Sequence, residues 1–158
     1  MYERILVLLN EESTFRAAAC EAVALGKAHG SELLFLSILP AYTLPVPDMP
    51  ISAVPLPDEF QNAARKNAEQ MLSEAEAKAD KAGVRHRREM IEGPEDAKTV
   101  VDFARQRDCK LIVVASAGRN AVVRLLSGSV IPGLITLSPL PVLICRGPMA
   151  QMPPDPAG

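Results

Sequence analysis

LIVVASAGRNAVVRLLSGSVIPGLITLSPLPVLICR, residues 111–146, runs from one apolar strand pattern through a glycine-bearing loop to a second. Leu111 to Ala115 is an uninterrupted apolar run of strand length, the pattern of a strand buried on both faces. Small and basic residues follow. Gly128-Ser129 then heads a short helical pattern, and Pro141 to Cys145 is again apolar. Gly118 and Gly128 allow the backbone to approach a ligand closely or to take positive φ. A helix beginning near Ser129 offers unpaired N–H groups to an anion. This is the geometry of a phosphate site, and no other segment suggests a ligand so clearly.

Working outward, Arg4 to Leu9 predicts a buried strand. Asn10-Glu11-Glu12-Ser13-Thr14 carries cap-type residues ahead of an Ala-rich helix reaching His29, and Gly30 ends it. Glu32 to Leu39 predicts a second buried strand, so the start of the chain is a parallel βαβ unit. Residues 40–57 hold six prolines, Pro40, Pro45, Pro47, Pro50, Pro55 and Pro57, a density that no regular helix or central strand tolerates. An extended loop is expected there, either packed on its own domain or serving as a lid or partner-binding segment. Asp58 and Gln61 resemble a capping box. After it Ala64, Ala68, Met71, Leu72, Ala75, Ala79 and Ala82 recur at helical spacing, with Glu74 and Lys78 as an i,i+4 pair and Gly83 as the stop. Val84 to Ile91 is charged enough to be an edge strand. Gly93-Pro94 predicts the start of a helix whose core side is Val100, Val101, Phe103 and Ala104.

Five strands alternating with four helices predict a doubly wound α/β sandwich with a parallel sheet. Such sheets bind ligands at the carboxyl ends of their strands, near the point where strand order reverses. Asn10, Ile38 and Ala115 fall at or just beyond three of those ends.

With 158 residues, the chain fits one domain over 1–146, followed by a flexible tail over 147–158. A net charge of −2 lacks the basic excess of a nucleic-acid binder. No apolar run reaches the roughly 20 residues of a membrane span. MYERILVLLN carries an acid and begins a strand at once, unlike a signal peptide. Cys20, Cys109 and Cys145 have neither metal-ligand spacing nor an even count, which suggests a reducing compartment. A cytoplasmic, soluble protein is expected.

From Ile5 to Arg146 the chain resembles the universal stress protein family. Nucleotide-binding members carry a glycine, two residues, a second glycine, nine residues, then a third glycine followed by Ser or Thr. Here the frame is Ala115, two residues, Gly118, nine residues, then Gly128-Ser129, with LIVVAS before it, VRLLSGS within it and PLPVLICR after it. The spacing and the last two glycines are kept, and the first glycine is Ala115. The resemblance implies ATP as ligand. Gly118, Arg119, Gly128, Ser129 and Val130 would surround the phosphates, Ala115 would lie under the ribose and α-phosphate, and Ile38 would flank the base or ribose. Leu8 and Val114 complete the implied nucleotide-binding set. The family's aspartate after the first strand corresponds to Asn10, which keeps a carbonyl acceptor but loses the charge. The family also implies a homodimer, and the apolar strand 141–145 is the edge through which a twofold mate would pair.

Other roles stay open on the residues alone. Gly118 and Gly128 also suit turns, Ser129 and Asn10 also suit helix caps, and Arg119 and Arg124 also suit a solvated surface. Glu11 and Glu12 suit either Mg²⁺ beside a nucleotide or a helix dipole. Phosphoryl transfer usually needs a lysine, metal-holding carboxylates and a positioned nucleophile. The loop 116–128 contains no Lys, Asp or Glu, and no dedicated catalytic activity is expected. The expected function is a nucleotide-sensing regulator of the stress response; the alternative is an interaction protein of the same fold whose glycine motif has decayed.

Overall fold

A computed structural model describes residues 1–39, 43–45, 53–55, 57–116 and 130–147. Its elements are β1 (Arg4–Leu8), α1 (Phe15–His29), β2 (Glu32–Leu39), β3 (Thr43–Pro45), β4 (Ala53–Pro55), α2 (Asp58–Ala82), β5 (His86–Glu92), α3 (Ala97–Gln106), β6 (Leu111–Ser116), α4 (Val130–Leu137) and β7 (Val142–Arg146). Five of the strands form one parallel sheet in the order β5-β2-β1-β6-β7. Four helices cover it, as the alternating pattern predicts.

The central strands are continuous apolar runs because both their faces are covered. Ile5, Val7, Leu33, Phe35 and Val113 share one core with α1 and α2, while Leu6, Leu8, Leu34, Leu36, Ile112 and Val114 share another with α3 and α4. The alternation of side chains along each strand divides the sequence between these two layers. Register aligns Ile5 with Leu33 on one side and with Leu111 on the other, and β2 and β6 run on past the last residue of β1, Leu8, so Ile38 and Ala115 lie beyond its end. Strand order turns back between β1 and β6, and the connections leave their carboxyl ends toward opposite sides.

Helix ends follow their glycines. Gly30 and Gly83 take left-handed φ of 67° and 70°, which closes α1 and α2 without the steric penalty a Cβ would bring. Four expectations need correction. Residues 40–57 are not wholly an extended loop: β3 and β4 pair antiparallel in a two-stranded ribbon, Leu44 opposite Val54. Proline survives there because a two-stranded ribbon is all edge. Pro57 holds the cap position of α2 and Asp58 is its first residue, so the expected capping box gives way to acids in the first turn, where they complement the helix dipole. Glu74 bonds Arg16 of α1 at 2.5 and 3.0 Å rather than acting chiefly on Lys78, because a guanidinium fork fits a carboxylate better than an i,i+4 ammonium does. Finally, α3 starts beyond Gly93-Pro94. Its cap is Asp96, whose side chain accepts a 2.8 Å bond from the Thr99 N–H.

Candidate functional site

The carboxyl ends of β1 and β2, the turn after β5 and one face of α2 enclose a cavity of about 200 Å³. Asn10 enters it two residues past the end of β1, while Ser37, Ile38 and Leu39 enter from the end of β2. From α2 come Ala64, Asn67, Ala68 and Met71. These recur three and four apart, so they form one helical face. Two acids close the rim, Glu12 and Glu95. None of the described residues lining it is a lysine or arginine.

Sequence reasoning missed Glu95. It is half-buried, and burial raises its carboxyl above the ordinary range. The Asn10 side-chain amide acts on the same carboxylate and pulls it down, while the nearby Glu11 charge pushes it up. The local signal was hidden in GPED, which reads as a turn before a helix; only the fold brings Glu95 to Asn10. Nor is Asn10 the cap of α1, a role considered above: Thr14 holds the cap position, and Glu11 O accepts from Thr14 N and Phe15 N at 3.2 and 2.9 Å.

The structure sorts the remaining sequence-derived positions by what their side chains can offer. Ile38 is 5% exposed and lines the cavity while packing in the core. Leu8 and Val114 are each 1% exposed and are core residues, so a ligand would meet them through their backbone. Ala115, opposite Cys145 in the ladder, is buried one residue before the end of β6, and Val130 is buried at the start of α4. Gly118, Arg119, Arg124, Gly128 and Ser129 lie outside the described residues. Beyond the sheet, α4 begins one residue after Ser129. Pro132 falls in its first turn, where a missing N–H breaks no helical bond.

A larger groove of about 770 Å³ runs between α1 and the outer edge of β7, lined by Cys20, Glu21, Leu25, Leu143, Cys145 and neighbouring residues. It lies along a sheet edge and lacks the convergent polar groups of a ligand site. The smaller cavity, at the strand ends and with a half-buried acid and amide, has the better chemistry. Burial pushes the Cys109 and Cys145 thiols up to about 11, which leaves both un-ionised near neutrality and without nucleophilic character. His86 sits at the far end of β5 from the cavity, its Nδ1 3.0 Å from Val84 O. Among the described residues, no three His, Cys, Asp or Glu side chains gather as a metal site would require.

Comparison with known proteins places this geometry. The model of the universal stress protein family matches residues 1–146. Universal stress protein YxiE of Bacillus subtilis is 30% identical over 149 residues, 92% of this chain and 100% of that one. The structure of universal stress protein UspA from Lactobacillus plantarum superposes with a TM-score of 0.74 at 24% identity, covering 92% of this chain and 98% of the other. An Archaeoglobus fulgidus universal stress protein solved with dAMP has a TM-score of 0.65 at 20% identity over 91% and 98% of the two chains. Others of this fold were solved with cAMP and with AMP. At these identities the structures show the shared fold, and adenine nucleotides are ligands of those proteins.

Proposed function

This chain belongs to the universal stress protein family, and from that premise we propose that it binds an adenine nucleotide, ATP, as a regulatory ligand of the stress response rather than as a substrate for turnover. The observation that carries the reading is the cavity at the carboxyl ends of β1 and β2, where Ile38 supplies an apolar wall and Asn10 and Glu95 supply polar groups. A nucleoside suits such a site because it offers an apolar ring face and neutral hydrogen-bond donors. Phosphates suit the other side of the strand reversal. There the Ala115–Gly118–Gly128–Ser129 spacing leads into α4, and a helix N-terminus stabilises an anion. Lys, Asp and Glu are absent from the 116–128 sequence, which favours holding phosphates over transferring them.

The chain's own residues would then bind and orient. Ile38 packs on the nucleoside, Asn10 and Glu95 fix its polar edge, and backbone N–H groups after Gly128 receive the phosphate charge. A Mg²⁺ accompanying ATP would have to draw on Glu11 or Glu12 as carboxylate ligands, and it would supply charge neutralisation of the phosphates. The protein works as a cytoplasmic homodimer paired through β7, a site distinct from the nucleotide cavity, so ligand occupancy can be read by a partner without blocking assembly.

Mass spectrometry of small molecules released from freshly purified, denatured protein tests the reading. Stoichiometric ATP or ADP is expected. An empty protein that also fails to bind added Mg·ATP at millimolar concentration would overturn it. The function would then pass to the alternative, an interaction protein with a decayed glycine motif, favoured by Asn10 and Ala115 standing where the family carries aspartate and glycine.

A further inference from the structure

Resting on the nucleotide reading above, we propose that Glu95 is the specificity-determining residue of this cavity: its carboxylate accepts a hydrogen bond from a neutral donor on the nucleoside, and Asn10 is the positioning residue that holds it there. Three observations converge. Glu95 lines the same cavity as Asn10 and Ile38, although it comes from the turn after the edge strand β5 and Asn10 comes from just past the end of the central strand β1. It is half-buried, and no cation pairs with it among the described residues. The polar side chain acting on it is an amide, which offers donors but no charge.

A carboxylate taken partly out of water with no countercharge among the described residues is costly unless further donors reach it. One Asn amide satisfies part of its acceptor capacity, since an ionised carboxylate has about four lone-pair sites. The unused capacity faces a cavity whose other acid, Glu12, repels anions. The occupant of this end must therefore bring hydrogen-bond donors and no negative charge. A ribose hydroxyl or the exocyclic amine of the base meets that requirement, and a phosphate does not. The arrangement also accounts for an asparagine at position 10. Two carboxylates sharing this cavity, at positions 10 and 95, would repel each other, whereas an amide supports one.

Hydrogen bonds to a charged group are among the stronger ones, so loss of this contact is expected to weaken ATP binding by roughly tenfold or more. The test is calorimetric titration of ATP, 2′-deoxy-ATP, 3′-deoxy-ATP and ITP into the full chain and its Glu95→Gln and Glu95→Ala variants, with melting curves confirming that each variant folds. Wild-type protein should discriminate against one analogue, the one lacking the donor that Glu95 receives. Both variants should lose affinity for ATP and lose that discrimination, while binding the discriminated analogue nearly as the wild type does. Which analogue is refused identifies the hydroxyl or the amine. Equal ATP affinity in all three proteins, or an equal loss for every nucleotide, overturns the proposal and leaves nucleotide binding intact. Failure of wild-type protein to bind any of the four overturns the nucleotide reading and this proposal with it.

Discussion

The two edges of the sheet are built on opposite principles. β5 reads HRREMIE, and its charges are engaged. Arg87 reaches Glu32 at 3.7 Å, Arg88 reaches Glu69 and Glu76 at 3.2 and 3.5 Å, and Glu89 takes both arms of the Arg107 guanidinium at 2.7 Å. That guanidinium holds the Glu89 carboxyl below the usual range. β7 reads VLICR, with one charge at its end, Ile144 37% exposed and a groove beside it. Charges along an edge discourage a further strand from pairing, whereas an apolar edge with free backbone groups invites one. Among the described residues the sheet therefore closes itself at β5 and stays open at β7, and the dimer proposed above would use the open side.

The ladder provides a clean way to break this contrast. Pro141 O accepts from Ile112 N and Gly147 N donates to Ser116 O, both at 3.0 Å, so the odd-numbered residues of β7 serve β6. The N–H groups of Val142, Ile144 and Arg146 therefore point away from β6, to the open edge. Proline is tolerated on an edge strand where its missing N–H faces outward. Ile144→Pro should leave the chain folded and convert the dimer to a monomer in light scattering at micromolar concentration. A wild type that is already monomeric would end the contrast between the edges.

A smaller effect is expected beneath the β6–β7 half, where α3 and α4 meet. A Cβ on Gly133 would lie 2.7 Å from the Ala97 Cβ, a contact that only a shift of the helices can relieve. Overpacking costs about 1–3 kcal/mol, and the better helix propensity of alanine returns up to about 1 kcal/mol. Gly133→Ala should thus lower stability in urea unfolding, and an unchanged midpoint would show that α4 is free to slide. The smallest effect belongs to β5. Arg88 is 40% exposed, and surface ion pairs contribute within about 1 kcal/mol, so Arg88→Ala should barely move the same midpoint. A large loss there would mean that the charged edge stabilises the sheet rather than merely guarding it.

Much of this was legible along the chain. β5 was an edge strand on charge alone, Gly30 and Gly83 ended helices because only a left-handed residue closes them cheaply, and Ile38 and Ala115 fell at strand ends because apolar runs stop there. The misreadings were local patterns that tertiary partners outcompeted. Glu74 looked paired with Lys78 four residues away, yet Arg16 from another helix carries the better fork. Asp58 looked like a cap and became the first residue of the helix.

The sequence by itself determined the strands, the helices, their alternation and the glycine spacing that suits phosphate, because each depends on residues within a few positions of one another. Tertiary structure alone decided that Asn10 and Glu95 share a cavity with the end of β2 and that β1 lies between β2 and β6. Those facts depend on which strands become neighbours, and strand order is set by burying both faces of the whole sheet at once.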